Sequence, residues 1–240
     1  MSSEVKSYSH RHRAQLEATL QTLKPGDFIM TASGTGVNAA ARNAGHSDYG
    51  HAMLYAGCLR HGHVFPDGFR FSGRTRAHAF FELPANYGAV PEAFVIDQTF
   101  RCLLVRVKGL HDRLRQMIVR NAAAHYRRHA GSLTNGYSHL SIATGGVRDV
   151  MGGAAAHAIA DHRGKSDPVM YGALPAGRAA KTFPRHVCSG FVAWCHAAAG
   201  APLRGGWTED TNVTPGELHQ AVRRQPHRFQ AVALNFERAS

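Results

Sequence analysis

Cys188 opens an apolar, helix-like run, Cys188-Ser189-Gly190-Phe191-Val192-Ala193-Trp194-Cys195. Phe191, Val192 and Cys195 follow it at three, four and seven positions, so this face of the helix is buried and the thiol stands at its exposed end. A thiol at a helix N-terminus lies near the positive end of the dipole, which favours thiolate. Far upstream, His51 heads a short apolar strand, Tyr49-Gly50-His51-Ala52-Met53-Leu54-Tyr55-Ala56-Gly57. An imidazole there, facing the thiol, would complete an ion pair and supply the proton a leaving group needs. The chemistry expected of such a pair is nucleophilic attack on a carbonyl. With 17 histidines in the chain, His46, His61, His63 and His186 are rivals for the base. Cys195, two helical turns further on, reads as packing.

A third residue should orient the imidazole through its other nitrogen. Glu82 is the first choice, a carboxylate at the end of the apolar strand His78-Ala79-Phe80-Phe81-Glu82-Leu83, where burial without a partner is costly. His78 shares its face by alternation and is second. Tyr49 and Gly50 beside His51, and Ser189 beside Cys188, are the candidates for substrate contact. Nothing calls for a metal or cofactor. The pairs His10/His12 and His61/His63 lack supporting acidic or cysteine ligands. Gly34-Thr35-Gly36 lacks the lysine of a phosphate loop, and no G-x-S-x-G elbow is present.

The elements that must position these groups read as follows. Ser9 to Leu23 is an amphipathic helix with Leu16, Leu20 and Leu23 on one side, stopped by Lys24-Pro25-Gly26. Asp27 to Met30 is a strand, a Gly-rich loop runs from Thr31 to Gly45 with a short helix near Val37 to Arg42, and the His51 strand follows. Arg60 to His63 reads as a hairpin turn. Cys102 to Val107 is a strand, and Leu110 to Ala130 a helix ended by Gly131. The Gly- and Ala-rich stretch from about 132 to 184 is an insertion holding a helix. The Cys188 helix runs to Ala199 and is closed by Gly200. Thr214-Pro215-Gly216-Glu217 fits a capping box, with Val213 and Leu218 as its hydrophobic staple. Gln230 to Leu234 is a last strand. The expected fold is α+β, with an antiparallel sheet of five or six strands and the Cys188 helix packed on one face.

The chain has 240 residues, 44% of them hydrophobic, enough for one sizeable core, and no linker divides it. No run reaches the roughly 20 apolar residues of a membrane helix. Met1 to His12 is polar and basic with no apolar segment behind it, which argues for a cytoplasmic protein or one exported without a signal peptide. Four cysteines without close pairing read as reduced thiols. Lys+Arg 28 against Asp+Glu 16 gives a net charge of +12, which favours anionic polymers or lipid headgroups as partners. The basic residues are scattered without interleaved aromatics, so no specific nucleic-acid module is read.

In their order these pieces resemble the circularly permuted NlpC-type papain-like cysteine hydrolases, which include YiiX-like proteins and a lecithin:retinol acyltransferase-like branch. The resemblance rests on Gly26-Asp27 before the first strand, on Gly50-His51 opening a strand that ends in Gly57, and on Glu82 followed by Tyr87-Gly88-Ala89-Val90 as a turn. Cys188-Ser189 heading a helix that ends Ala198-Ala199-Gly200, and Thr214-Pro215-Gly216-Glu217-Leu218, complete it. It spans Leu23 to Leu234. Gly190 stands where the family commonly has glutamate. The resemblance implies a permuted papain-like domain over 1–240, with Cys188 as nucleophile, His51 as base and Glu82 orienting it. The 132–184 insertion would then be a substrate-specific lid. The expected activity is cleavage of an amide bond in bacterial cell-wall peptides by a secreted antibacterial effector with an immunity or secretion partner protein. The alternatives are a thioesterase, lipase or acyltransferase acting on lipid, and an idle binding module that keeps the fold.

Overall fold

The computed structural model describes residues 10–32, 48–60, 62–65, 77–82, 89–91, 101–129, 188–203 and 213–235, with the side chains of 10–13, 77, 82, 89–91, 129 and 235 outside that set. The 132–184 insertion, the short helix near Val37 to Arg42, His46, His61 and His186 also lie outside the described residues.

Asp27 carries the turn into the sheet. Lys24-Pro25-Gly26-Asp27 closes with the Asp27 N–H donating to the Lys24 carbonyl at 2.9 Å. Pro25 supplies the fixed φ of the second position and Gly26, at φ 86°, the left-handed third. Strand β1 (Phe28–Ala32) leaves this turn, followed by β2 (His51–Leu59), β3 (Ala77–Glu82), β4 (Ala89–Pro91), β5 (Arg101–Val107) and β6 (Phe229–Asn235). They form one antiparallel sheet in the order β4-β3-β2-β1-β5-β6. Four helices are seen among the described residues: α1 (His10–Leu20), α2 (Asp112–His129), α3 (Cys188–Ala198) and α4 (Pro215–Arg224). None is long and apolar enough to cross a membrane.

Alternation along the strands sorts the core into two layers. Ile29, Met53, Tyr55, Phe80, Cys102, Leu104 and Leu234 pack with Leu16, Leu20 and Leu23 of the α1 region. Phe28, Met30, Leu54, Ala56, Phe81, Leu103 and Val105 face the other way, against α2, α3 and α4. Covering both faces explains why β1 is buried at every position and reads as a continuous apolar run. Burying each large side chain, such as the fully buried Phe28, Phe81 and Phe191, contributes about 1.5–3 kcal/mol.

The expected α+β class, the antiparallel sheet and the α3 packing agree with this arrangement. Two local differences have simple causes. Ala89 and Val90, read as part of a turn, form the edge strand β4, where pairing with Phe81 and Phe80 satisfies backbone groups. Helix α1 ends at Leu20 rather than Leu23, because Thr19 accepts from the Thr22 hydroxyl at 2.7 Å and its N–H at 3.0 Å, tightening the last turn.

Asp27 also joins the sheet to α2. Its carboxylate is fully buried and accepts from Arg115 Nη1 at 2.7 Å, the Val107 N–H at 3.1 Å and the Lys24 N–H at 2.8 Å. Arg115 donates three further hydrogen bonds, to the carbonyls of Val107, Pro25 and Leu110. Such a pair is worth keeping only while both members are present. Asp27→Ala should therefore lose about 3–5 kcal/mol of unfolding free energy in urea titration, since it strands a buried guanidinium. A loss below about 1 kcal/mol, the range of an exposed pair, would show that the network does not hold α2 to the sheet.

Candidate active site

The first residue of α3 and the first residue of β2 meet. Cys188 is 5% exposed and His51 2% exposed. Burial pushes the thiol up. The positive charge of the neighbouring His51 ring pulls the other way, joined by the backbone N–H groups of Ala52 and Ser189. The sum holds Cys188 below its ordinary value. The Ser189 N–H is one of the first-turn donors an α-helix leaves free, so the helix terminus supplies part of this stabilisation.

The other buried thiols show the contrast. Cys195 and Cys102 face no such partners, and burial drives both well above the ordinary value. Cys58 is exposed, and all four cysteines are free. The sequence-based separation of Cys188 from Cys195 therefore has a physical basis: one sulfur stands at a helix terminus against an imidazole, the other among apolar neighbours.

Three contacts fix α3 and hence the sulfur. The Ser189 hydroxyl donates to the Val213 carbonyl at 2.5 Å, tying the first turn to the residue before the α4 cap. Thr214 caps α4 in a full capping box with Glu217, with Pro215 following it. Asn121 of α2 donates to the Cys195 carbonyl at 3.1 Å. At the far end, fully buried His196 sits edge-on to Phe28, the first residue of β1. Burial, with Arg115 and Arg228 nearby, lowers His196 to about 3.

The other expected site residues fall as follows. Tyr49 is 4% exposed, its hydroxyl pushed up to about 12 by burial, and its ring meets His219 of α4 edge-on at 4.9 Å. The Gly50 N–H donates to the Thr31 carbonyl at 3.0 Å, which sets the register of His51 opposite Thr31. Ser189 is fully buried with its hydroxyl turned toward Val213. Glu82 ends β3 opposite Met53, two residues along β2 from His51, and its side chain lies outside the described set. His78 lies further along β3, opposite Cys58, with its Nδ1 2.6 Å from the Tyr55 hydroxyl. It is held in the Tyr55 pairing rather than beside His51. Of the rival histidines, the exposed His63 stacks edge-on with Phe65. The parts sequence reasoning passed over are the Ala52 N–H and the anchors Asn121 and His196. Ala52 follows His51 directly, and a first strand residue whose neighbour's N–H also reaches the sulfur is the only local signal for it. No group of three or more potential metal ligands occurs among the described residues.

Two outcomes follow. Iodoacetamide should label Cys188 at neutral pH well ahead of Cys102 and Cys195, with the pH midpoint of its rate below the usual thiol value of about 8.5. Equal, slow labelling of all three buried thiols, read by peptide mass spectrometry, would contradict the pairing. His196 binds its proton more weakly folded than unfolded. The unfolded state therefore gains protons first as pH falls from 6.5 toward about 3, and stability drops across that window. His196→Gln should flatten the fall in urea midpoint over those pH values, and an unchanged slope would contradict the buried neutral imidazole.

No family model matches the chain, and no curated protein matches it. Among solved structures, it is similar to the metalloprotein YiiX from Escherichia coli O157:H7, at 15% identity over 90% of this chain and 99% of that one, with a TM-score of 0.42.

Proposed function

We propose that this chain is a cysteine hydrolase that cleaves an amide bond, with Cys188 as nucleophile, His51 as acid and base, and Glu82 orienting the imidazole. The observation that carries the reading is the placement of two buried side chains, Cys188 at the start of α3 and His51 at the start of β2, where the imidazole charge holds the thiol below its ordinary value. The thiolate attacks the carbonyl carbon and a C–S bond forms. Donors at the α3 terminus, the Cys188 N–H first among them, hold the oxyanion. The His51 imidazolium gives its proton to the departing amine as the C–N bond breaks. Water then attacks the thioester, its proton passes to His51, and the acid is released with the thiol restored.

The substrate proposed is the peptide of a bacterial cell wall, and the role that of an exported antibacterial effector. A net charge of +12 supports it, since the chain would be drawn to an anionic wall polymer. Wild type and Cys188→Ala are incubated with purified peptidoglycan and, separately, with phospholipid vesicles, and the products are read by mass spectrometry. New peptide amine and carboxyl ends with wild type alone are expected, and His51→Gln should lower the rate by about 10²–10⁴. Fatty acid or lysolipid in place of cut peptide would overturn the amide assignment. No product from either substrate would overturn the substrate reading altogether.

A further inference from the structure

Strand β6 ends the sheet on one side, and among the described residues no strand lies beyond it. It runs for seven residues, Phe229-Gln230-Ala231-Val232-Ala233-Leu234-Asn235, in unbroken register with β5, and holds no charge and no proline. Edge strands are usually guarded by shortness, proline, a bulge or a charged side chain. The opposite edge, β4, has two of these guards, being three residues long and ending in Pro91. β6 has none. Gln230, Ala231, Val232 and Ala233 are exposed, and Val232 is one of two large apolar side chains left exposed among the described residues.

The register fixes which backbone groups are open. The Lys108 N–H donates to the Arg228 carbonyl at 2.8 Å, one step beyond the Val107–Phe229 pair. Hydrogen-bonded pairs alternate along an antiparallel ladder. Gln230, Val232 and Leu234 therefore turn their N–H and C=O groups to Arg106, Leu104 and Cys102, and Ala231 and Ala233 turn theirs outward. Val107 agrees, since its N–H goes to Asp27 and its carbonyl to Arg115, and neither to β6. The surroundings of this edge are basic. β5, β6 and the chain from Leu218 to Phe229 carry no acid. Arg223, Arg224 and Arg228 lie just before Phe229, and Lys108 joins them through its bond to the Pro226 carbonyl at 3.0 Å. Among the described residues these four cations take part in no ion pair, and Arg228 donates to the uncharged oxygens of Gln225, Pro202 and Leu203.

We propose that β6 is the docking edge for an extended, acidic segment of a partner protein, which adds to the sheet as a further strand. The occupant is a polypeptide because a second backbone offers donors and acceptors together at the spacing of Ala231 and Ala233. A phosphodiester chain brings acceptors alone and would leave both alanine carbonyls unpaired. The occupant is acidic because the arginines at the Phe229 end have no carboxylate partner, and a second copy of this chain, at +12, would be repelled. Antiparallel addition, as throughout this sheet, sets the segment's C-terminal acids beside Arg223, Arg224 and Arg228. Docking here is independent of the Cys188 chemistry proposed above.

The probe is a fluorescent peptide, Thr-Val-Thr-Val-Thr-Val-Glu-Glu-Glu, with one control methylated on every backbone nitrogen of its strand and another carrying lysine in place of glutamate. The full chain with Cys188→Ala is used throughout, so that the peptide stays whole. Amide exchange read by NMR should be fast at Ala231 and Ala233 and slow at Val232 and Leu234, and the peptide should slow both alanines. Ala231→Pro removes an outward N–H and spares the ladder, so it should fold and lose about tenfold in affinity. Arg223→Gln/Arg224→Gln should lose about threefold to tenfold, and the equal-charge control Arg120→Gln/Arg128→Gln should change little. Melting curves check each variant, and should Ala231→Pro melt early, the methylated peptide makes the same test on the unaltered strand. Slow exchange at both alanines without peptide would overturn the open edge. Equal binding of the methylated peptide would overturn strand addition, and equal binding of the lysine peptide would overturn the acidic partner. A dimer in ultracentrifugation that Ala231→Pro dissolves would give the edge to a second copy and overturn the proposal.

Discussion

Burial pushes the Cys188 thiol toward its neutral form, and the opposing pull of His51 is strong only while the two side chains are held within bonding reach. An ion pair shielded from water is stronger than one at the surface and less forgiving of displacement. A shift of α3 by a fraction of a turn would leave the sulfur with the burial penalty and without its partners. Much of the described structure can be read as the means of preventing that shift.

The restraints act at both ends of α3. At the N-terminal end the Ser189 hydroxyl is bonded to Val213, and the chain there is stiffened by the Thr214–Glu217 capping box. Toward the C-terminal end Asn121 holds the Cys195 carbonyl, and His196 packs edge-on against Phe28 at the start of β1. The turn before β1 is itself bound to α2 through Asp27 and Arg115. The same β1 sets the position of His51 through the register Thr31 to His51. One short segment, Pro25 to Thr31, therefore references both halves of the pair, although the thiol and the imidazole are 137 residues apart in the chain (188 − 51).

What could be read in the sequence was what local chemistry determines. The Thr214-Pro215-Gly216-Glu217 cap follows from side-chain and backbone donors within one helical turn, and it is present as expected. The β1, β2 and β5 runs were legible because both sides of the sheet are covered and their positions are almost uniformly apolar. Cys188 stood out by its place at the head of an apolar helix. The Asp27–Arg115 network was not legible, because its members are 88 residues apart and nothing local marks Arg115 among the arginines of α2. The Tyr55–His78 pairing was hidden for a different reason. The irregularity between Tyr55 and Gly57 shifts the strand register, so Tyr55 and Cys58 both lie on the side of His78 despite their odd spacing. Strand β4 was missed because three residues show no period.

The central claim is that Cys188 is held as a thiolate by His51, and ultraviolet titration of thiolate absorbance tests it most directly. The difference between wild type and Cys188→Ala should show one thiolate appearing below the ordinary thiol range, and His51→Gln should move that step upward. A step at or above the ordinary thiol range, unmoved by His51→Gln, would contradict the account.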